Sequence, residues 1–328
     1  MATGENTEIM VSVIMITYNH EAFIRKAIEG VLIQECSFPV ELLIGDDCSS
    51  DNTEAVVQDI LNKHPKAGCV KYMRNVVNLG PSENYLYLFK QCSGKYIANC
   101  EGDDYWTDPH KLQKQMDFLE ANEGYSLVCG GYMSVNTVTG EKNVVLKESP
   151  DDSMMTDAGF DITIEMFFQD WYTKTLTTVF RTELLDLGEL ANYRYTSDTQ
   201  VFYHLLKKGN GYYIRDVLGA YNMHGSGMHS MVSNEKRSLD GFRVANELFA
   251  QNRNDTLVRS YYFSSGLALY SIMPKIKYYE FNKIELLFDL IVQIKNFEEI
   301  KRLLIAASGK PGRKLIDWLK IKFNLGKK

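Results

Sequence analysis

The sequence predicts an α/β fold: a mostly parallel, doubly wound sheet with helices on both faces, plus a C-terminal helical extension. Three observations carry this. Over the first 130 residues, short β-branched runs alternate with stretches of helical apolar spacing. Each early apolar run ends in polar residues, the arrangement of a sheet whose carboxyl ends form a binding rim. Beyond Ser233 the spacing is helical throughout, with no strand signal.

Taken in order, residues 10–16 form a first strand, and residues 21–34 a helix with Phe23, Ile24, Ala27, Ile28, Val31 and Leu32 on one face. Residues 40–45 are a second strand. Ser50, Asp51, Asn52 and Thr53 then offer cap chemistry for a helix to Lys63. A third strand over 70–73, a helix over 82–92 and a fourth strand over 96–101 follow, then a helix that Pro109 can start and a strand over 126–129. Residues 141–161 read as a polar surface excursion. Strand-like spacing at 176–181, a helix over 199–208 and strands near 212–214 and 217–221 complete the first domain. The spacing places the domains at 1–235 and 236–328.

Composition narrows the function. A formal net charge of -6 argues against nucleic acid as a partner. Six cysteines, at 36, 48, 69, 92, 100 and 129, lack metal-ligand spacing and read as free thiols of a reducing compartment. The acidic N-terminus lacks the features of a signal peptide, and no stretch reaches the ~18 apolar residues of a spanning helix, so the expected location is cytoplasmic.

Chemistry gathers at the strand ends: Thr17, Tyr18 and Asn19, then Asp46 and Asp47, then Asp103 and Asp104. Paired acids after a buried strand suit a hard divalent cation on a diphosphate, or else a solvated turn. The blocks 11–19, 41–53, 78–80 and 101–104, in that order and spacing, resemble the inverting family 2 glycosyltransferases of the GT-A fold. Ser197-Asp198 before a leucine-rich helix and Gly209 is similar to that family's acidic helix start, with Ser197 standing where Glu is usual.

The resemblance assigns roles. It implies donor contacts from Thr17, Tyr18, Asn19, Asp47, Asn78, Asp103 and His224, with Tyr18 stacking on the base and Asp47 accepting from a pyrimidine N–H. Asp104, with His224 in a glycine-rich loop that also carries His229, would hold Mn²⁺ or Mg²⁺. Asp198 would be the base that deprotonates the acceptor hydroxyl. Tyr105 and Trp106 offer faces to an acceptor sugar, as does Trp171, which could equally be core. The expected reaction moves a sugar, hexosyl or N-acetylhexosaminyl, from a nucleotide-sugar, UDP above others, to a saccharide or lipid-linked saccharide in polysaccharide assembly. Seven basic residues within 310–328, beside Leu315, Ile316, Leu319 and Phe323, suit either an anionic membrane surface or a solubilising tail. The C-terminal helices could also pair two copies.

Other classes fit less well. A nucleotidylyltransferase or a dinucleotide dehydrogenase would carry a glycine-rich turn after the first strand, where Thr17-Tyr-Asn-His-Glu21 stands. The adjacent acids Asp103 and Asp104 cannot straddle a glycosidic bond as a glycosidase pair does. A non-catalytic sugar-nucleotide-binding or scaffold protein derived from a transferase is the alternative that turnover would exclude.

Overall fold

The computed structural model describes residues 8–225, 232–273, 277–278 and 281–306. The chain divides into two compact units, Met1–Ser230 and Met231–Lys328. In the first, β1 (Val11–Thr17), α1 (Ile24–Leu32), β2 (Val40–Asp46), α2 (Thr53–Lys63), β3 (Val70–Arg74), α3 (Pro81–Gln91) and β4 (Tyr96–Asn99) alternate as expected. They are followed by β5 (Tyr105–Trp106), α4 (Lys111–Ala121), β6 (Tyr125–Asn136), β7 (Lys142–Val145) and β8 (Gly159–Ile162). The unit closes with α5 (Ile164–Phe167), β9 (Val179–Arg181), α6 (Leu187–Leu190), α7 (Asp198–Leu206) and β10 (Asn210–Met223).

The sheet runs β3-β2-β1-β4-β9-β6-β10-β5, with β7 on β6 and β8 on β10. Strands β3, β2, β1 and β4 are mutually parallel, as are β6 and β10, while β9 lies antiparallel between β4 and β6. Every residue of β1 is buried, which is why the strand reads as an unbroken apolar run rather than an alternating one. Because the first four strands share a direction, their carboxyl ends open on one rim.

The middle of the chain departs from the sequence reading. The segment read as a strand over 176–181 is a 3₁₀ turn, Thr175–Thr177, feeding the three residues of β9. The polar excursion over 141–161 contains β7 and the start of β8. The two strands expected near 212 and 217 are one, β10, whose register shifts between Ile214 and Val217 and again before Gly219 break the periodicity. At α7 the cap is Ser197, in a reciprocal capping box with Gln200, so Asp198 is the first helical residue and not the cap.

Two buried cations hold the core together around β9 and α4. Arg181 donates to the carbonyls of Tyr125, Leu119 and Asn122 and to the Tyr96 hydroxyl, fastening the end of α4 to the sheet. Lys111 is fully buried, donating to Gln115 Oε1 at 2.6 Å with its ammonium 4.1 Å from the Trp106 ring centroid. Burial pushes Lys111 down from 10.5 to about 7. The unfolded chain therefore binds more protons than the fold across that window, and stability rises with pH through it. Denaturant titrations should show the wild-type chain gaining about 2 kcal/mol relative to Lys111→Met between pH 7 and 9. Lys111→Met should be more stable than wild type at pH 7, with the difference closing toward pH 9; an equal pH dependence in both chains would remove Lys111 as the cause.

In the second unit, α8 (Asn234–Gln251) and α9 (Thr256–Ile272) form a hairpin capped by Ser233 and Asp255, and α10 (Lys283–Gln293) and α11 (Phe297–Ala306) pack on α9. Arg259 joins α9 to α11 through both carboxylate oxygens of Glu299. The region is not wholly helical: Lys277–Tyr278 pairs antiparallel with Phe281–Asn282. No helix of the described residues is long and apolar enough to cross a membrane. The basic segment 310–328 lies outside the described residues.

Candidate active site

A cleft of about 300 Å³ opens on the rim at the carboxyl ends of β1, β2 and β4. Thr17, Tyr18, Asp47, Asn78, Glu101, Asp103 and Asp198 all line it, together with His20 and Lys174. Three strand ends and the start of α7 thus meet at one place, although they lie up to 181 positions apart (198 − 17) in sequence.

The floor is built from loop-to-loop hydrogen bonds. Asp47 accepts from the Leu79 and Gly80 amides at 2.7 and 2.8 Å and from Asn75 Nδ2 at 3.0 Å, which shapes the loop from β3 to α3. One lone-pair direction on Oδ2 stays open for a ligand. Asn78 donates to the Asp47 carbonyl, so it too braces this loop while facing the cleft. Asp46 points elsewhere, accepting from the Ser49 amide and the Tyr72 hydroxyl. Tyr18 is 47% exposed at the cleft edge, and an aromatic face left open there can stack on a planar ligand. Asn19 departs from its expected donor role. At φ 55 it sits in the left-handed region that Asn tolerates, and its side chain accepts from Ser50, closing the β1 loop on the β2 loop rather than lining the cleft.

The paired acids separate. Asp103 faces the cleft, its Oδ2 accepting from His224 Nε2 at 3.0 Å, with His20 Nε2 at 3.9 Å. Asp104 is 1% exposed; its Oδ1 accepts from the Asn222 amide and its Oδ2 has no partner among the described residues. The expectation that Asp104 holds a metal is therefore corrected: it props β10 from inside, and Glu101 is the second acid that reaches the cleft. Gly102 makes the crossing possible by closeness rather than by φ, since a Cβ there would lie 2.8 Å from both Thr17 Cβ and Oγ1.

Burial and the charge of Asp103 push Glu101 up to about 7. Burial also works to raise Asp103, but the hydrogen bond from His224 and the nearby imidazoles outweigh it and leave that carboxyl below its ordinary value. Burial and the charges of Asp103 and Glu101 push Asp104 well above the carboxylate range. His20 is lowered by burial despite Asp103.

Asp198 lies across the cleft at the first turn of α7. Its Oδ2 accepts from Thr175 Oγ1 at 2.8 Å and its Oδ1 from the Thr199 amide at 2.9 Å, so both oxygens are fixed while the group still borders the cleft. Behind it, Tyr85, Phe89 and Phe202 wall a smaller apolar recess.

The aromatic residues next to the paired acids turn inward. Trp106 is 1% exposed, donates from its indole to the Leu176 carbonyl at 2.7 Å, and belongs to the main core. Tyr105 is buried beneath Lys26, whose ammonium lies 3.6 Å from the ring centroid. Neither offers a face to an acceptor. Trp171 is 36% exposed and packs on Phe167 and Phe202. His229 lies outside the described residues.

The sequence reading missed Glu101, His20, Lys174 and Thr175. Glu101 had a signal in its spacing, acid-Gly-acid with Asp103, which an adjacent acid pair obscured.

The family model described as Glycosyl transferase family 2 matches residues 12–182, more than half of the chain. The uncharacterized protein Rv1520 of Mycobacterium tuberculosis is 38% identical over 109 residues, which is 33% of this chain and 31% of that one, so the match spans about a third of that relative. The GalNAc(5)-diNAcBac-PP-undecaprenol beta-1,3-glucosyltransferase of Campylobacter jejuni is 26% identical over 215 residues, 65% of this chain and 64% of that protein. Among solved structures, S. aureus TarS 1-349 in complex with UDP-GlcNAc has a TM-score of 0.55 at 19% identity, covering 91% of this chain and 80% of that one. That likeness establishes the GT-A architecture. Because that family model covers more than half of its length, taking in the parallel strands and the rim acids, the chain belongs to glycosyl transferase family 2.

Proposed function

We propose that this chain is a metal-dependent, inverting glycosyltransferase that moves a sugar from a UDP-sugar to a hydroxyl of a saccharide or lipid-linked saccharide acceptor. The observation that carries the reading is the single cleft bordered by Asp47 and Tyr18 at one side, Asp103 with His224 at the rim, and Asp198 opposite. The C. jejuni relative's lipid-linked acceptor and the UDP-GlcNAc bound by TarS support the same substrate classes.

In this reading Tyr18 stacks on the base and the free lone pair of Asp47 Oδ2 receives its N–H. Asp198 takes the proton from the acceptor hydroxyl as that oxygen attacks the anomeric carbon from the face opposite the leaving group, so the configuration inverts. A carboxylate can serve as this base, because the hydroxyl acidifies as the bond forms. Thr175 and the Thr199 amide hold the carboxylate still for that transfer.

The donor atoms fit a divalent ion shared with phosphate. Asp103 Oδ2 and His224 Nε2 lie 3.0 Å apart at the cleft rim, a carboxylate oxygen and an imidazole nitrogen that would serve a divalent ion once that nitrogen gives up its proton. No group of three or more candidate protein ligands occurs among the described residues, so phosphate and water would have to complete the coordination of Mn²⁺ or Mg²⁺. Asp103 and His224 would hold the ion, which would supply charge neutralisation at the departing diphosphate. For the acceptor, Trp171 is the one of Tyr105, Trp106 and Trp171 that stays exposed.

Calorimetric titration of UDP, GDP and dTDP, each with and without Mn²⁺, tests the reading. Selective binding of UDP that Mn²⁺ strengthens is expected. If none of the three binds, the donor site is lost; if GDP or dTDP binds instead, the base assignment is lost.

A further inference from the structure

The acids that make this cleft useful also make it hostile to its donor. Glu101, Asp103, Asp47 and Asp198 all border it, and a nucleotide-sugar brings two further negative charges. Among the described residues lining the cleft, Lys174 is the one lysine or arginine. Its ammonium lies 3.3 Å from the Tyr221 ring centroid and 5.7 Å from that of Tyr132. Among the described residues its ammonium forms no ion pair and donates to no hydrogen-bond acceptor. The ring faces hold the charge without using those donors, so all three are available to a ligand.

The backbone beneath it is fixed. The Lys174 carbonyl accepts from the Thr177 amide and from the Thr177 and Thr178 hydroxyls, each at 2.9 Å. The next residue, Thr175, holds Asp198. A rigid, half-buried cation with unused donors, set in an acidic cleft, fits an oxyanion better than it fits any neutral group.

We infer that Lys174 is the cationic contact for the donor's diphosphate and stabilises the charge that collects on its terminal phosphate as the sugar departs. This rests on the donor-site reading above. In the transfer, the bond from the anomeric carbon to the terminal phosphate oxygen breaks and its electron pair stays on that oxygen. The acceptor oxygen bonds to the carbon, and its proton goes to Asp198. The released nucleoside diphosphate carries one more negative charge than it did as an ester, and that charge is what the ammonium meets.

Titrations of uridine, UMP and UDP in the presence of chelator, on wild type, Lys174→Met and Lys174→Arg, isolate the contact from the metal. Wild type is expected to gain affinity from uridine to UDP. Lys174→Met should lose about tenfold for UDP and nothing for uridine, while Lys174→Arg should stay within about threefold for UDP. An equal loss for uridine would mean that Lys174 only shapes the cleft, and unchanged UDP affinity in the Met variant would likewise overturn the assignment. A wild-type chain that binds uridine and UDP alike would also overturn it while leaving the donor site standing. A wild-type chain that binds neither would remove the donor site and this role together.

Discussion

Replacing Asp198 by Asn is expected to lower the rate of sugar transfer by about 10²–10⁴-fold, the usual contribution of a general base, with UDP affinity unchanged. The substitution is nearly isosteric. Asn keeps an oxygen for the Thr199 amide, and the Thr175 hydroxyl can rotate to accept from the new NH₂ group. Because Ser197 and Gln200 make the capping box, α7 does not depend on the charge at 198. Single-turnover transfer with saturating donor is the readout. Transfer by the Asn variant at the wild-type rate would take Asp198 out of the chemistry and leave it a helix-start residue.

The second large effect separates two neighbours. Asp103→Asn should abolish most of the strengthening of UDP binding by Mn²⁺, at least about tenfold, since even outer-shell partners of metal ligands cost that much. Asp104→Asn should retain it, because the buried carboxyl keeps an oxygen for the Asn222 amide and does not border the cleft. Titrating Mn²⁺ against each variant with UDP present decides between them. Loss of the metal effect in Asp104→Asn alone, with the fold intact, would restore the assignment that adjacency in sequence suggested.

That adjacency shows where sequence stops being legible. Strands β1, β2 and β4 were readable because they are buried on both faces, and the rim followed from the direction they share with β3. Which of two consecutive acids points outward depends on where β4 ends and the chain turns, and β4 ends at Asn99, two residues sooner than its apolar run implied. Trp106 misled for a related reason. An indole beside two carboxylates looks like a sugar platform, but β5 pairs with β10 and buries it. β9 was obscured by its length of three residues and by Arg181, whose partners are distant carbonyls with no signature of their own. Lys174 is a lone lysine in a polar stretch, and only the folded chain brings it to Tyr221.

The reversed strand β9 also bears on how such chains can be recombined. The cleft residues Thr17, Tyr18, Asp47, Asn78 and Asp103 come from the first third of the sequence, whereas Lys174, Thr175, Asp198 and His224 come from one later block. That division invites exchange of the later block as a cassette. Yet the block enters the sheet through β9, paired with β4 on one side and β6 on the other. A graft cut only at the visible loops would break both pairings, so the transplantable piece must carry the facing residues 96–98 and 127–128 with it.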